Sequence, residues 1–188
     1  EPYVQGDKLA GADLSAQLAQ IEKKLQAEGF TVIGRHTPKG LPGYASLVIT
    51  DPDMLTAIRT IGGSAIVASG IRVGLQNDGT LTYMNPDYWY RAYLRGQYKV
   101  AQAAAKSVQM RLAKALGEGK AFGGDVPEAD LANYRYMIGM ERFDSANSEL
   151  STHASFEEAL KAVQGNLSKG TGTTSRVYEV VMSNSKIA

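Results

Sequence analysis

The strongest chemical feature of the sequence is a run of aromatic and basic residues at 83–98. On a helix, Trp89 and Tyr93 stack one turn apart. Arg91 and Arg95 form a parallel row. Such residues are frequent anchors of protein interfaces, and an arginine among them can grip an anion. The alternative is a buried aromatic layer with arginines stacked on its rings. The candidate interface or ligand residues are Arg72, Tyr83, Asn85, Tyr88, Trp89, Arg91, Tyr93 and Arg95.

Two histidines, His36 and His153, are weak candidates for a metal or haem site. Histidine together with Met84, Met137 or Met140 is a ligand set for haem iron or copper. However, the sequence has no Cys-x-x-Cys-His run and no His-x-x-x-His pair. We therefore predict two surface polar residues and no cofactor.

Motifs for nucleophilic catalysis and phosphate binding are absent from the sequence. There is no Gly-x-Ser-x-Gly run, and Ser64 has no assignable base. The glycine-rich stretches of the second half lack the features of a phosphate loop. The sequence therefore predicts that the protein is not an enzyme. A cleft lined by Arg72, Tyr83 and Arg91 would reopen that question.

Composition excludes several classes of partner. The 188 residues include 20 basic and 19 acidic residues and no cysteine. This balance gives no electrostatic case for a nucleic-acid partner, and no apolar run approaches the ~20 residues that span a bilayer. A chain that begins at Glu1 without a leader fits an exported protein after signal-peptide removal, and equally a trimmed chain. Since free thiols are a liability outside the cytoplasm, we expect a periplasmic or extracellular protein.

Local patterns divide the first half into helices and strands. Asp13 and Gly29 are good end residues for a first helix, and Asp51 followed by proline begins a second one. A long helix is predicted over 86–116, bent or split at Gly96. Strands are predicted at 30–35, 44–50, 71–76 and 80–84.

The predicted hairpin loop at 77–79 has a register that the side chains select. A two-residue loop would set Leu75 opposite Thr82, whereas a three-residue loop sets Leu75 opposite Leu81. The second register alone separates apolar from polar residues between the two faces. We therefore predict it, with Gly79 in the left-handed conformation.

The second half repeats a strand–helix–strand order in outline. Strands are predicted at 136–143 and 176–182, around a helix that begins with a Ser155–Glu158 capping box. A turn at 183–186 starts a hairpin whose partner is missing, so we expect an exposed strand edge. The fold class is predicted as α+β, with a mostly antiparallel sheet and helices packed on one face. The strand–helix–strand order at both ends of the chain is either a structural repeat or a coincidence.

Part of the chain resembles the bacterial family called domain of unknown function 302. The resemblance covers roughly residues 14–95, and its most specific run is Met84 to Leu94. It implies a compact α+β fold, pairing into dimers and no assigned activity. The commonest members carry cysteines near 50–53 and 69–73, which this chain lacks, so a thiol-based role cannot operate here.

The resemblance also suggests how the chain divides. Residues 1–117 are predicted to form the core α+β domain, and 118–188 an extension that completes or enlarges the sheet, as in larger exported relatives. The predicted function is an exported, non-enzymatic binding or self-assembly protein that acts through the aromatic helix and an exposed strand edge. A homo-oligomer or strand-edge partner is expected. The alternative is a periplasmic carrier of haem, a metal or a small organic ligand.

Overall fold

The structure is a computed structural model that describes residues 1–11 and 13–188. Its strands are β1 (Tyr3–Gln5), β2 (Thr31–His36), β3 (Tyr44–Thr50), β4 (Ile71–Gln76), β5 (Leu81–Met84) and β6 (Ala121–Phe122). Its α-helices are α1 (Leu14–Ala27), α2 (Pro52–Ile61), α3 (Pro86–Leu94), α4 (Tyr98–Leu116) and α5 (Phe156–Lys169). A 3-10 helix, Gly63–Ser69, lies between α2 and β4.

The strands form one sheet in the order β2-β3-β4-β5-β1-β6. Each pairing recorded between the described strands is antiparallel, so the predicted α+β class with an antiparallel sheet is confirmed. The hairpin register is confirmed as well, because Leu75 lies opposite Leu81. The amide of Gln76 donates to the carbonyl of Thr80 at 3.0 Å, and Gly79 has a φ of 84°.

The hydrophobic core lies between one face of the sheet, called here the first face, and the helices α1 and α4. Side chains alternate along a strand, so Leu47, Val73 and Tyr83, which lie opposite one another, share this face. The same core cluster includes Ile21 of α1 and Leu112 of α4. Burying these apolar side chains is the main stabilising contribution to the fold.

The long helix predicted over 86–116 is split. α3 ends at Leu94, Arg95 adopts a positive φ of 53°, and α4 begins at Tyr98. The break therefore falls at Arg95, next to Gly96, where the sequence placed it. It lets α3 and α4 pack against each other instead of forming one rod.

The two strands predicted in the second half are wrong. Residues 136–143 are irregular, with a turn at 137–140 in which the amide of Met140 donates to the carbonyl of Met137 at 3.1 Å. Residues 176–182 contribute only an isolated antiparallel bridge, Met182 with Ile187, among the described residues. That bridge closes the turn that was expected to be an unfinished hairpin. The strand–helix–strand repeat is wrong for the same reason, although its helix, α5, is present.

A short N-terminal strand takes a position in the sheet that the sequence did not predict. β1 lies between β5 and β6 and pairs with both. The edges of the described sheet are consequently β2 and β6. The expected exposed edge at 176–182 is thus replaced by two edges elsewhere.

The opposite face of the sheet, called here the second face, is partly covered by the C-terminal segment. A Cβ on Gly34 would lie 2.8 Å from the carbonyl oxygen of Val177 and 2.9 Å from the Cβ of Tyr178. The missing side chain at Gly34 therefore allows this close approach. None of the helices in the described ranges combines the length and apolar character that a bilayer crossing requires.

Candidate functional site

The aromatic residues of α3 pack against neighbouring segments of the same chain. Trp89 lies 5.2 Å from the rings of both Tyr88 and Tyr93, and 5.6 Å from Tyr134. The indole N–H of Trp89 donates to the carbonyl of Pro2 at 2.8 Å. Tyr88 is buried, and Trp89 and Tyr93 are half-buried. This arrangement corresponds to the buried aromatic layer that the sequence left open as the alternative.

The arginines of this region are held by carboxylates. Arg91 pairs with Asp87 at 2.9 Å and with Glu128 at 2.8 Å. Arg95 pairs with Asp144 at 2.8 Å, and both guanidinium groups lie over aromatic rings. These contacts fasten residues 128–144 to the α3–α4 junction. Carboxylates of the same chain therefore already occupy both guanidinium groups.

Tyr83 and Asn85 form hydrogen bonds within the fold, to the end of α4 and to the N-terminal residue. The hydroxyl of Tyr83 donates to the carbonyl of Gly117 at 2.9 Å, and burial raises the pKa of Tyr83 to about 12. The side-chain amide of Asn85 donates to the carbonyl of Glu1 at 2.9 Å. Tyr83 lies on the first face of the sheet and Arg72 on the second. The described residues therefore do not form the cleft of Arg72, Tyr83 and Arg91 that would support catalysis.

The two histidines lie on different elements. His36 ends β2, opposite Ser46, and is exposed. His153 lies in an exposed loop before α5, with its Nε2 3.2 Å from the hydroxyl of Ser151. In the part of the chain that the structure describes, neither belongs to a group of three or more His, Cys, Asp or Glu side chains that would hold a metal ion.

The structure places one of the predicted site residues, Arg72, in a groove of about 710 Å³ on the second face of the sheet. Arg72 alternates with the buried Ile71 and Val73, so its side chain points away from the core. Tyr93 lines the same groove. Of the predicted site residues, these two are the ones brought together at a cavity.

Three segments form the walls of this groove: the 3-10 helix Gly63–Ser69, α5 and the C-terminal segment. Apolar side chains dominate these walls. They are Ile66, Val67, Phe156, Leu160, Val163, Leu167, Tyr178, Val180 and Ile187. α5 turns its apolar stripe toward the groove, yet none of its residues is buried, and Val163 is 55% exposed. The apolar face of α5 is thus incompletely covered by the chain.

The charged residues that line the groove are mostly basic. They are Arg72, Arg176, Lys186 and Glu179. Glu179 is engaged, because its Oε2 accepts a hydrogen bond from Gln164 at 3.0 Å and lies 3.7 Å from Arg176. The guanidinium of Arg72 has neither a hydrogen bond nor an ion pair with any residue in 1–11 or 13–188. The groove therefore has a positive excess.

Sequence reasoning found the parts of this groove but not their association. The apolar spacing on α5 and the candidate Arg72 are both visible in the sequence. The contribution of Tyr178 and Ile187 is not visible in the sequence, because the pattern predicts a strand at 176–182 and a turn at 183–186. No local pattern indicates that this segment crosses the second face.

Comparison with known proteins gives a likeness among solved structures. No protein-family model matches the chain, and no curated protein matches it. Among solved structures, the chain is similar to the crystal structure of an uncharacterized conserved protein DUF302 from Bacillus stearothermophilus. The identity is 18% and the TM-score 0.45, over 61% of this chain and 94% of that chain. The family in the name of this neighbour is the one that the sequence resembles; the likeness assigns no activity and no residue role.

Proposed function

We propose that this protein is a non-catalytic carrier that holds a small organic ligand in the groove between α5 and the second face of the sheet. The observation that carries the proposal is the groove itself. Its volume of about 710 Å³ lies in the ~300–1,000 Å³ range of small-molecule sites. Apolar walls with a few polar groups are also typical of such sites.

The incomplete burial of α5 supports this proposal. Its apolar residues Phe156, Leu160 and Val163 face the groove but remain partly accessible to water. Apolar surface in this position is stabilised when a ligand excludes the water. A bound ligand would thus complete the packing between α5 and the 3-10 helix Gly63–Ser69.

An organic ligand fits the groove better than haem or a metal ion. The residues that line the groove include no histidine, methionine or cysteine, which are common protein ligands to haem iron.

We further propose that the carrier works in the periplasm or outside the bacterial cell. The absence of cysteine from the sequence supports this location.

The proposal is tested with the uncharged fluorophore N-phenyl-1-naphthylamine, which brightens in apolar surroundings. We expect saturable binding at one site per chain, weakened at least ~10-fold by Ala159→Trp, because Ala159 lines the groove and the added ring fills it. Lys161→Trp is the matched control, since Lys161 is exposed on the same helix and does not line the groove. No saturable binding, or equal binding by both variants, would contradict the carrier.

A second candidate function, self-association, is favoured by the exposed turn at 136–140. Tyr136, Met137 and Met140 are exposed there, and Ile138 is 99% exposed. Contiguous exposed apolar residues often mark interaction sites. The edge strand β2 is less suited to a partner, because a bulge between Val32 and Gly34 interrupts it.

Light scattering tests self-association. If the turn is an interface, the wild type has a mass above 20.2 kDa and Ile138→Ser lowers it toward the monomer. The free energy of unfolding of the monomer should not change, since Ile138 has no buried contacts to lose. A monomer for the wild type at micromolar concentration removes this candidate and leaves the carrier proposal standing.

A further inference from the structure

We infer that the ligand of the groove is an amphipathic carboxylate, with an apolar body along α5 and its carboxylate on Arg72. This inference rests on the proposed carrier function and names the class of ligand. It is argued from the position of Arg72, from its lack of a counterion and from the neighbouring phenol of Tyr93.

Arg72 is held at a fixed position. Its residue lies in β4, the third strand of the sheet, where it pairs with Val48 of β3. Its backbone amide also points at the sulfur of Met84, 3.3 Å away. The sheet therefore fixes the backbone of Arg72, so binding of a ligand does not have to order the main chain at this position.

Most other arginines in the described ranges have carboxylate partners, whereas Arg59 and Arg135, like Arg72, have none. Arg35 pairs with Glu22, Arg95 with Asp144 and Arg111 with Asp51. Arg72 has no carboxylate partner in the described ranges, and it differs from Arg59 and Arg135 because it lines an apolar groove. Arg72 is exposed, so its guanidinium is accessible to an incoming anion, and guanidinium matches a carboxylate with two parallel hydrogen bonds. A ligand carboxylate supplies the partner that the chain does not.

The groove around Arg72 favours an anion over a cation. Lys186 lines it as well, and Glu179 is occupied by Gln164 and Arg176. The phenol of Tyr93 lines the groove within electrostatic reach of Arg72. A phenol is protonated at neutral pH, and burial raises the pKa of Tyr93 further, so its hydroxyl can donate a second hydrogen bond.

The test compares dodecanoate with dodecanol as competitors of N-phenyl-1-naphthylamine. The two share a chain and differ in the charged end. For the wild type we expect dodecanoate to bind at least ~10-fold more tightly than dodecanol, as a charge-assisted bidentate contact implies. In Arg72→Gln the two should bind within a factor of ~2 of each other, when the affinity of each competitor is calculated from that variant's own affinity for the fluorophore.

Arg59→Gln is the matched control, because Arg59 is an exposed arginine of α2 that does not line the groove; its preference for dodecanoate should equal that of the wild type. Equal binding of the two competitors by the wild type, or a preference that survives in Arg72→Gln, overturns the carboxylate inference and leaves the carrier. Failure of the fluorophore and of both competitors to bind overturns the carrier proposal, and the inference with it.

Discussion

Single arginines in this protein have contrasting surroundings. Arg111 joins α4 to the first turn of α2, because its Nη2 lies 2.5 Å from a carboxylate oxygen of Asp51. Asp51 is buried and also caps α2 by accepting from the amide of Met54 at 2.9 Å. Arg72 lies exposed on the second face without such a partner in the described residues. The first arginine stabilises the fold, whereas the second is available to a ligand.

We expect Arg111→Met to destabilise the protein by about 3 kcal/mol, because it leaves the buried carboxylate of Asp51 without its partner. Urea unfolding measures this change. Lys114→Met is the control, since Lys114 pairs with Glu28 at an exposed position on the same helix, and such a pair contributes at most ~1 kcal/mol. Equal losses of unfolding free energy in the two variants would show that the Arg111–Asp51 ion pair stabilises the fold no more than the exposed Lys114–Glu28 pair.

The buried tyrosines predict a loss of stability in alkali. Burial raises the pKa of Tyr83 and of Tyr98 to about 12, and it also raises the pKa of Tyr90. In the unfolded chain these phenols ionise near ~10. The protonated phenols therefore contribute fully to the free energy of unfolding below pH ~10, and this contribution is lost as the pH rises toward 12.

The measurement is the free energy of unfolding as a function of pH. We expect it to fall between pH ~10 and ~12, and to fall less steeply in Tyr83→Phe, which has no phenol to ionise. Tyr83→Phe also loses the hydrogen bond to Gly117, so its stability at neutral pH should be lower by ~1 kcal/mol. A free energy that is constant across this pH range would contradict the account of the tyrosines.

At the scale of elements, the hairpin of β4 and β5 depends on one glycine. Gly79 has a φ of 84°, and a Cβ there would overlap the carbonyl oxygen of Leu9. We expect Gly79→Ala to destabilise the protein by more than ~1 kcal/mol, through the left-handed conformation and the clash. Gly40→Ala, where nothing lies within 4 Å, should change stability by less than ~0.5 kcal/mol. Thermal unfolding of both variants gives the comparison.

Local signals were sufficient for those elements whose ends and faces are encoded nearby. Asp13 and Ser155, which cap the N-termini of α1 and α5, mark where these helices begin. The alternation of apolar and polar side chains identifies the register of the hairpin. These interactions join residues close in sequence, so a pattern can reveal them.

The missed elements depend on distant partners. β1 has three residues and becomes a strand because it fits between β5 and β6. Residues 136–143 have the apolar content of a strand, but Gly139 has a φ of 85° and the side chain of Ile138 is exposed. β1 takes the position beside β5, and β6 pairs with β1. The sequence alone does not state which segment takes an available edge.

At the scale of the whole molecule, the two faces of the sheet pack against different parts of the chain. The first face packs against α1 and α4 to form the core, and the second faces α5 across the groove. The candidate residues predicted from sequence divide in the same way. Tyr83 joins the core, whereas Arg72 and Tyr93 line the groove. The division could not be predicted, because it depends on where the C-terminal segment crosses.

The most direct test of the carrier proposal is a titration of isotope-labelled protein with N-phenyl-1-naphthylamine, followed by backbone amide chemical shifts. The proposal predicts saturable shifts centred on Ile66, Leu160 and Val180, which line three walls of the groove. It predicts no saturable shift at Thr56, which lies on α2 away from it. An absence of shifts, or shifts centred on the turn at 136–140, would contradict it.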